Sequence, residues 1–291
     1  MKSTMMCAAV AAMVAAAAHG KALVWEELTS DEIADAVETT KGTVVIPFGC
    51  VEKHNRHLPV GTDKIAAERI VMRAAEIEPV MVFPIGPFGA VAEAKHRFGA
   101  VAISYETLKR LLDETCCELA RNGYTNIVIV NAHGGNGPFL EDFVRSRLSE
   151  RRSYNLYRWE DKYSSAQYKE WYAKFGKPEG AWGHACFYET SLMMELAPSL
   201  VHPERANVEE SAPKTRLDHF RKLRLSTPVD WYAQCDSQAY GDPSKASPEL
   251  GKWLVETTVG NLVEALKAVK ADTVSSALRA EFEARCAKPE R

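Results

Sequence analysis

Residues 43–63 read Thr43-Val44-Val45-Ile46-Pro47-Phe48-Gly49-Cys50-Val51-Glu52-Lys53-His54-Asn55-Arg56-His57-Leu58-Pro59-Val60-Gly61-Thr62-Asp63. The first six form an apolar, β-branch-rich run, the pattern of a buried strand. The stretch from Gly49 to Asp63 is dense in side chains that hold metals or move protons. Crevices just past the carboxyl ends of strands are where open α/β sheets bind ligands, so the run and the stretch after it are read together. Upstream, Ser30 to Thr39 is helical, with Asp31 and Glu32 well placed at its positive end. Downstream, Met81 to Ile85 is a second strand. Leu108, Leu111, Leu112 and Leu119 give Tyr105 to Asn122 a helical period that Gly123 stops, and Asn126 to Val130 is the most strand-like run in the chain. Phe139 to Leu148 and Thr190 to Leu196 read as helices, and Pro248 to Val269 as a long amphipathic helix closing the domain. Asp161 to Gly183, rich in Trp, Tyr and Lys, has no period and is expected to be an irregular segment over the active site. Strands alternating with helices predict an α/β fold, a mainly parallel sheet covered by helices.

Composition sets the outer bounds. The chain has 291 residues, 46% of them hydrophobic and 26% charged, an ordinary globular balance. No linker or low-complexity tract divides it after the first twenty residues, so one catalytic domain over residues 21–291 is expected. A formal net charge of −3 with intermixed signs offers no basic face to a phosphate backbone, which excludes nucleic acid as a partner. Met1 to Gly20 carries Lys2 and then an Ala-rich apolar run, the form of a signal peptide rather than a transmembrane span. Export to the periplasm or medium is the expectation, with no membrane association after signal removal; if the segment is not a signal, the protein stays in the cytoplasm. Six cysteines remain beyond Cys7 and show no zinc-ribbon spacing, and export permits disulfides without requiring them.

Three loops concentrate the chemistry. Glu52 and His54 are two apart, so in extended backbone they point to one side, as two ligands of one metal or of adjacent metals would; Asp63 can return on the following loop. The strand Asn126 to Val130 runs into Asn131-Ala132-His133-Gly134-Gly135-Asn136, placing an imidazole at a strand end. Gly183-His184-Ala185-Cys186-Phe187-Tyr188-Glu189-Thr190-Ser191 offers a further histidine and carboxylate. A lone loop histidine is ordinarily just solvated or hydrogen-bonded, and Glu189 with Thr190 and Ser191 could be simple helix N-terminal chemistry. The coincidence of three such loops, each offering histidine or carboxylate, is unexpected of mere connectors and points instead to a metal site.

These motifs, Glu52-x-His54-x-x-His57-Leu58-Pro59-x-x-Thr62-Asp63, Val130-Asn131-x-His133-Gly134-Gly135-Asn136 and His184 through Glu189-Thr190-Ser191-Leu192, resemble the creatininase (creatinine amidohydrolase) family. The resemblance also takes in Trp25 to Thr29, Phe98-Gly99, Arg121-Asn122-Gly123 and Gly241-Asp242-Pro243, and so nearly the whole mature chain. It implies a three-layer α/β/α sandwich, a centre of two divalent metal ions, commonly zinc or manganese, and often a homohexamer. Iron accepts the same ligands. Carried over, Glu52 and His133 would hold one metal, His54 the second, Asp63 would bridge, and Glu189 would complete the second site. His184 would be the general acid and His57 would steady a ligand from behind. The substrate class implied is a small cyclic or linear amide.

The chain departs from the family pattern in three places. Asn55-Arg56 stand where Gly-Pro is common, putting a cation near the metals that could meet a substrate carboxylate or phosphate, or could form a salt bridge. Gly135 stands where creatininases proper carry a glutamate, so creatinine itself is not the expected substrate. Cys186-Phe187 replace Gly-Glu. Specificity is expected at Arg56, Trp182 and the Asp161 to Gly183 segment. The alternative reading is a non-catalytic metal- or ligand-binding protein that kept the fold.

Overall fold

The computed structural model describes residues 20–180 and 182–288; the proposed signal segment, Gly20 excepted, lies outside them. In chain order the elements are β1 (Leu23–Val24), α1 (Ser30–Thr39), β2 (Thr43–Phe48), α2 (Thr62–Ile77), β3 (Met81–Val82), α3 (Tyr105–Arg121), β4 (Asn126–Asn131), α4 (Asn136–Ser146), β5 (Asn155–Glu160), α5 (Ser165–Phe175), β6 (Trp182–His184) and α6 (Phe187–Leu196). The chain continues through α7 (Asp218–Lys222), α8 (Asp230–Cys235), β7 (Tyr240–Gly241), α9 (Pro248–Ala271) and α10 (Val274–Ala287). Five parallel strands form the main sheet in the order β1-β3-β2-β4-β5, and β6 pairs antiparallel with β7 outside it.

The two-residue period of the strands builds two cores. Val45, Val128 and Val130 face one side, where they pack with Ala74 of α2, Leu192 of α6 and Leu254 of α9. Val44, Ile46, Phe48, Ile127 and Ile129 face the other and pack with Ala36 of α1, Leu112 of α3 and Phe143 of α4. Because both faces are covered, β2 and β4 are apolar at nearly every position, the signature of a buried parallel sheet. The expected three-layer α/β/α sandwich is therefore the architecture.

Four expectations need correction. Asp63 lies not on a loop but in the first turn of α2. The segment 161–183 contains α5, started by a capping box between Ser164 and Gln167; its ring of Tyr and Trp residues hid the period. Pro248–Ala271 does not close the chain, because α10 comes after it, and with no buried residue α10 leaves no hydrophobic period to read. The strand at Met81 stops at Val82. Among the described residues the six cysteines are unpaired, and no helix is long and apolar enough to cross a membrane.

Helix α9 reaches its closest approach to α6 at Gly251, where a Cβ would fall 2.0 Å from the Ser191 carbonyl oxygen. The Ser191 hydroxyl also accepts from Ser247 N–H at 3.0 Å, so the start of α9 is pinned to the helix that carries Glu189. Gly251→Ala should thus force the two helices apart, lowering stability by about 1–3 kcal/mol. Chemical denaturation checks this: the midpoint should fall at unchanged m-value, and an unchanged midpoint would mean that the contact is not rigid.

Candidate metal centre

The motif loops meet because β2 and β4 are neighbours in register. Phe48 is the partner of Asn131, so Gly49 and Ala132 leave the sheet side by side, and Ala132 N–H donates to the Phe48 carbonyl at 3.1 Å. A Cβ on Gly49 would lie 2.5 Å from the Asp63 carbonyl carbon and 2.4 Å from Lys64 N. Glycine there lets the first turn of α2 sit directly on the end of β2. That contact brings Asp63 back over Cys50 and Glu52.

Glu52, His54, Asp63, His133 and His184 are each at most 6% exposed, and Glu189 joins them from the first turn of α6. His133 Nδ1 is 3.0 Å from Glu52 Oε1 and 3.0 Å from Asp63 Oδ2. His54 Nε2 is 3.1 Å from Asp63 Oδ1 and 3.7 Å from Glu189 Oε2. Asp63 therefore turns one oxygen to each histidine. Two metal-capable groups result, Cys50-Glu52-Asp63-His133 and His54-Asp63-Glu189, sharing Asp63; a third comprises Glu52, His54 and His184.

Each imidazole is anchored by one nitrogen to a main-chain carbonyl. His54 Nδ1 lies 3.2 Å from Glu52 O, His133 Nε2 3.1 Å from Ala90 O, and His184 Nε2 2.9 Å from Lys53 O. Donation from these nitrogens fixes the ring orientation and leaves the opposite nitrogen aimed at the carboxylates, where it can hold a proton or a metal ion. His184 Nδ1 is 3.8 Å from Glu52 Oε1, and its ring lies over His54 at a centroid distance of 4.2 Å.

The carboxylates make this pocket favour positive charge. Burial alone would lower His54, but Asp63, Glu189 and Glu52 outweigh it and push the imidazole up to about 10. His133 is raised well above its ordinary value, burial again being overcome, here by its hydrogen bonds with Asp63, Cys50 and Glu52. Burial would raise Asp63, yet the His54 and His133 partners carry its carboxyl well below the usual range. Burial of carboxylates without a compensating cation is costly. Asp63 and Glu189 also gain from sitting in helix first turns, at the positive end of the dipole.

The remaining expected residues fall around this cluster. His57 is fully buried; its Nε2 lies 2.7 Å from Thr190 Oγ1, which ties the first loop to α6 next to Glu189. Asn55 adopts a left-handed φ of 53°, a conformation asparagine tolerates better than other non-glycine residues, and its Nδ2 donates to Asn207 O and Ser211 Oγ at 3.0 and 3.1 Å. Arg56 extends into solvent and pairs with Glu210 at 2.9 Å. Trp182, 38% exposed, packs against Trp171, Phe187 and Tyr188. A cavity of about 200 Å³ opens beside the cluster, sharing Asp63, His133 and Glu189 with it; neither Arg56 nor Trp182 lines it.

Two neighbours escaped the sequence reading. Cys50 Sγ–H donates to Asp63 Oδ2 at 3.1 Å; its place at the strand end was a signal, obscured by the absence of a paired cysteine nearby. Glu93 Oε1 comes within 3.9 Å of His133 Nε2 from a distant turn, and nothing local in the sequence marks it.

A family model described as creatinine amidohydrolase matches residues 26–266. Creatinine amidohydrolase of Pseudomonas putida is 26% identical over 258 residues, covering 83% of this chain and 95% of that protein. The mycofactocin precursor peptide peptidase of Mycobacterium tuberculosis is 27% identical over 240 residues, 77% of this chain and 84% of its own. A solved creatininase in its manganese form shares the fold with a TM-score of 0.72 at 21% identity, covering 87% of this chain and all (100%) of that one. A solved creatinine amidohydrolase gives 0.71 at 23%, again covering 87% and 100%.

His57 supplies a test of this packing. Burial, and then the charge on His54, lower its pKa from 6.5 to about 4, so between those values the unfolded chain takes up a proton that the folded chain refuses. The His57 contribution is therefore neutral above pH 6.5 and increasingly destabilising as the pH falls toward 4. The raised His54 and His133 act in the opposite direction, so the comparison that isolates His57 is with His57→Gln, both proteins chelator-treated. The wild type should lose up to about 1.4 kcal/mol per pH unit relative to the variant across that window. Parallel pH–stability curves would show that His57 is free to protonate in place.

Proposed function

Because this chain belongs to the creatininase family, we propose that it is an amidohydrolase whose centre takes two divalent cations, zinc, manganese or iron, and which cleaves a small cyclic or linear amide. The observation that carries this reading is the placement of Asp63, with Oδ1 toward His54 and Oδ2 toward His133. Glu52 and His133 would hold one ion, His54 and Glu189 the other, with Asp63 shared. The donor set fits: three carboxylates and two imidazoles converge, buried, and the excess of negative charge that raises His54 and His133 is one that bound cations would balance. Divalent ions bound there supply Lewis acidity and make hydroxide available near neutral pH.

The chain's own groups account for the proton. With its Nε2–H committed to the Lys53 carbonyl, a neutral His184 has Nδ1 as its basic nitrogen, turned toward Glu52. It can take a proton from the attacking water and return it to the departing nitrogen. The departures from the family pattern have packing explanations that leave this machinery intact: Asn55 and Arg56 dock the 207–211 segment, while Cys186 and Phe187 are buried in the core between α5 and α9.

Metal analysis by plasma mass spectrometry on protein purified without chelator should find about two ions per chain in the wild type. Asp63→Ala should lose both ions and Glu189→Ala should lose metal in part. His184→Ala should keep its metal but fall in kcat by roughly 10²–10⁴ on any amide that the wild type cleaves. A wild type that neither retains nor gains metal on adding zinc or manganese would overturn the proposal.

A further inference from the structure

The cavity beside the cluster is lined in part by Tyr188, Thr258 and Asp161. Those residues belong to one hydrogen-bond chain whose direction can be worked out. The Thr258 hydroxyl donates to Asp161 Oδ2, a carboxylate oxygen that can only accept. Thr258 has no second proton, so Tyr163, at 3.2 Å, must donate to it. With its single proton spent, Tyr163 can only accept from Tyr188, 3.1 Å away. Asp161 Oδ1 is meanwhile held by Asn261 Nδ2 at 3.0 Å. Tyr188 is thereby left with acceptor capacity alone.

The rest of the wall agrees with that polarity. Asp63, Glu160, Asp161 and Glu189 all line the cavity, and among the described residues no lysine or arginine does. Ile70, Leu192 and Met193 supply apolar sides. A space of about 200 Å³ admits a group of at least side-chain size.

We propose that this cavity is the specificity pocket, and that the Asp161–Thr258–Tyr163–Tyr188 chain tunes it to amides whose far end donates hydrogen bonds, an amine or amidine-type nitrogen, neutral or cationic. An anionic far end meets the like charge of Glu160 and Asp161, the two lining carboxylates that hold no metal in this reading. The inference rests on the amidohydrolase reading for what the pocket serves, but its binding preference is measurable without turnover.

The probes are β-alaninamide, succinamate and butyramide, of matched length with a cationic, an anionic and an apolar end. Saturation-transfer NMR competition on the metal-loaded full chain should show β-alaninamide binding about ten-fold or more tightly than succinamate, with butyramide between them. Tyr188→Phe and Asp161→Asn, each a change of one polar group, should bring that ratio toward one while metal content stays at the wild-type level. Equal or reversed affinities in the wild type, no binding of any probe, or a ratio unmoved in both variants would overturn the pocket assignment. Ammonia release in the same samples separates the two readings. Preferential binding without hydrolysis removes the hydrolase proposal and keeps the pocket, whereas equal hydrolysis of cationic and anionic amides keeps the hydrolase and removes the pocket.

Discussion

The structure depends on one close approach, that of the first turn of α2 to the end of β2 across Gly49. Without it Asp63 could not stand between His54 and His133, 3.1 and 3.0 Å from their ring nitrogens. The approach has an electrostatic cost, since it packs Asp63 against Glu52 in a region where both are almost wholly buried. Desolvating an isolated carboxylate costs several kcal/mol even after relaxation. The surrounding architecture offsets that cost in three ways: imidazoles drawn toward positive charge, helix N-termini behind Asp63 and Glu189, and carbonyl anchors that stop the rings from turning away. A cation-binding centre is the simplest function for a fold arranged this way.

The two-faced sheet explains why the site can be so polar. Its strands carry enough apolar surface on both sides to form separate cores, one against α2, α6 and α9 and one against α1, α3 and α4. Stability is therefore generated along the strands and not at their ends, which leaves the carboxyl ends of β2 and β4 free to carry side chains that no core would accept. Local strain gathers there as well. Ala185 has a φ of 51°, a conformation costing an alanine about 1–2 kcal/mol. It sits between His184 and Cys186, and its N–H donates to Glu189. Strain of that kind persists where surrounding contacts fix it, commonly at functional sites.

Much of this is legible in the sequence, for identifiable reasons. Apolar runs such as Thr43 to Phe48 announce strands because both of their faces are buried, and the motif residues after them can be assigned to strand ends. The features that cannot be read come from distance or from surroundings. The turn that carries Glu93 is brought to His133 only by the tertiary fold. Helix α5 packs Trp171 and its neighbours into an aromatic cluster with Trp182 and Trp253, which replaces the aliphatic period that marks most helices; only its Ser164-x-x-Gln167 box is visible. Helix α10 has no buried residue and so leaves no pattern. Asp63 reads as a loop residue because Leu58-Pro59-Val60-Gly61 has the composition of a turn, and that turn ends one residue before the helix begins.

The same contacts explain why Gly135 departs from the glutamate expected of creatininases proper. A Cβ at 135 would fall 2.5 Å from His133 Nε2, 2.6 Å from the Ala90 carbonyl and 2.7 Å from Glu93 Oε1. The Glu93 oxygen is the end of a flexible side chain and can move, but the Ala90 carbonyl is backbone and the His133 ring is anchored to it. Ala90 is the carbonyl that orients His133, and it is itself held by Asn136 Oδ1, which accepts from Ala90 N–H at 2.7 Å. The segment 90–93 also brings the Glu93 carboxylate to 3.9 Å from His133 Nε2. A side chain at 135 and this anchoring of His133 therefore compete for the same space. The acidic residue sits on a separate turn, where its approach to the centre is set by the packing of residues 90–97 and not by the rigid start of α4.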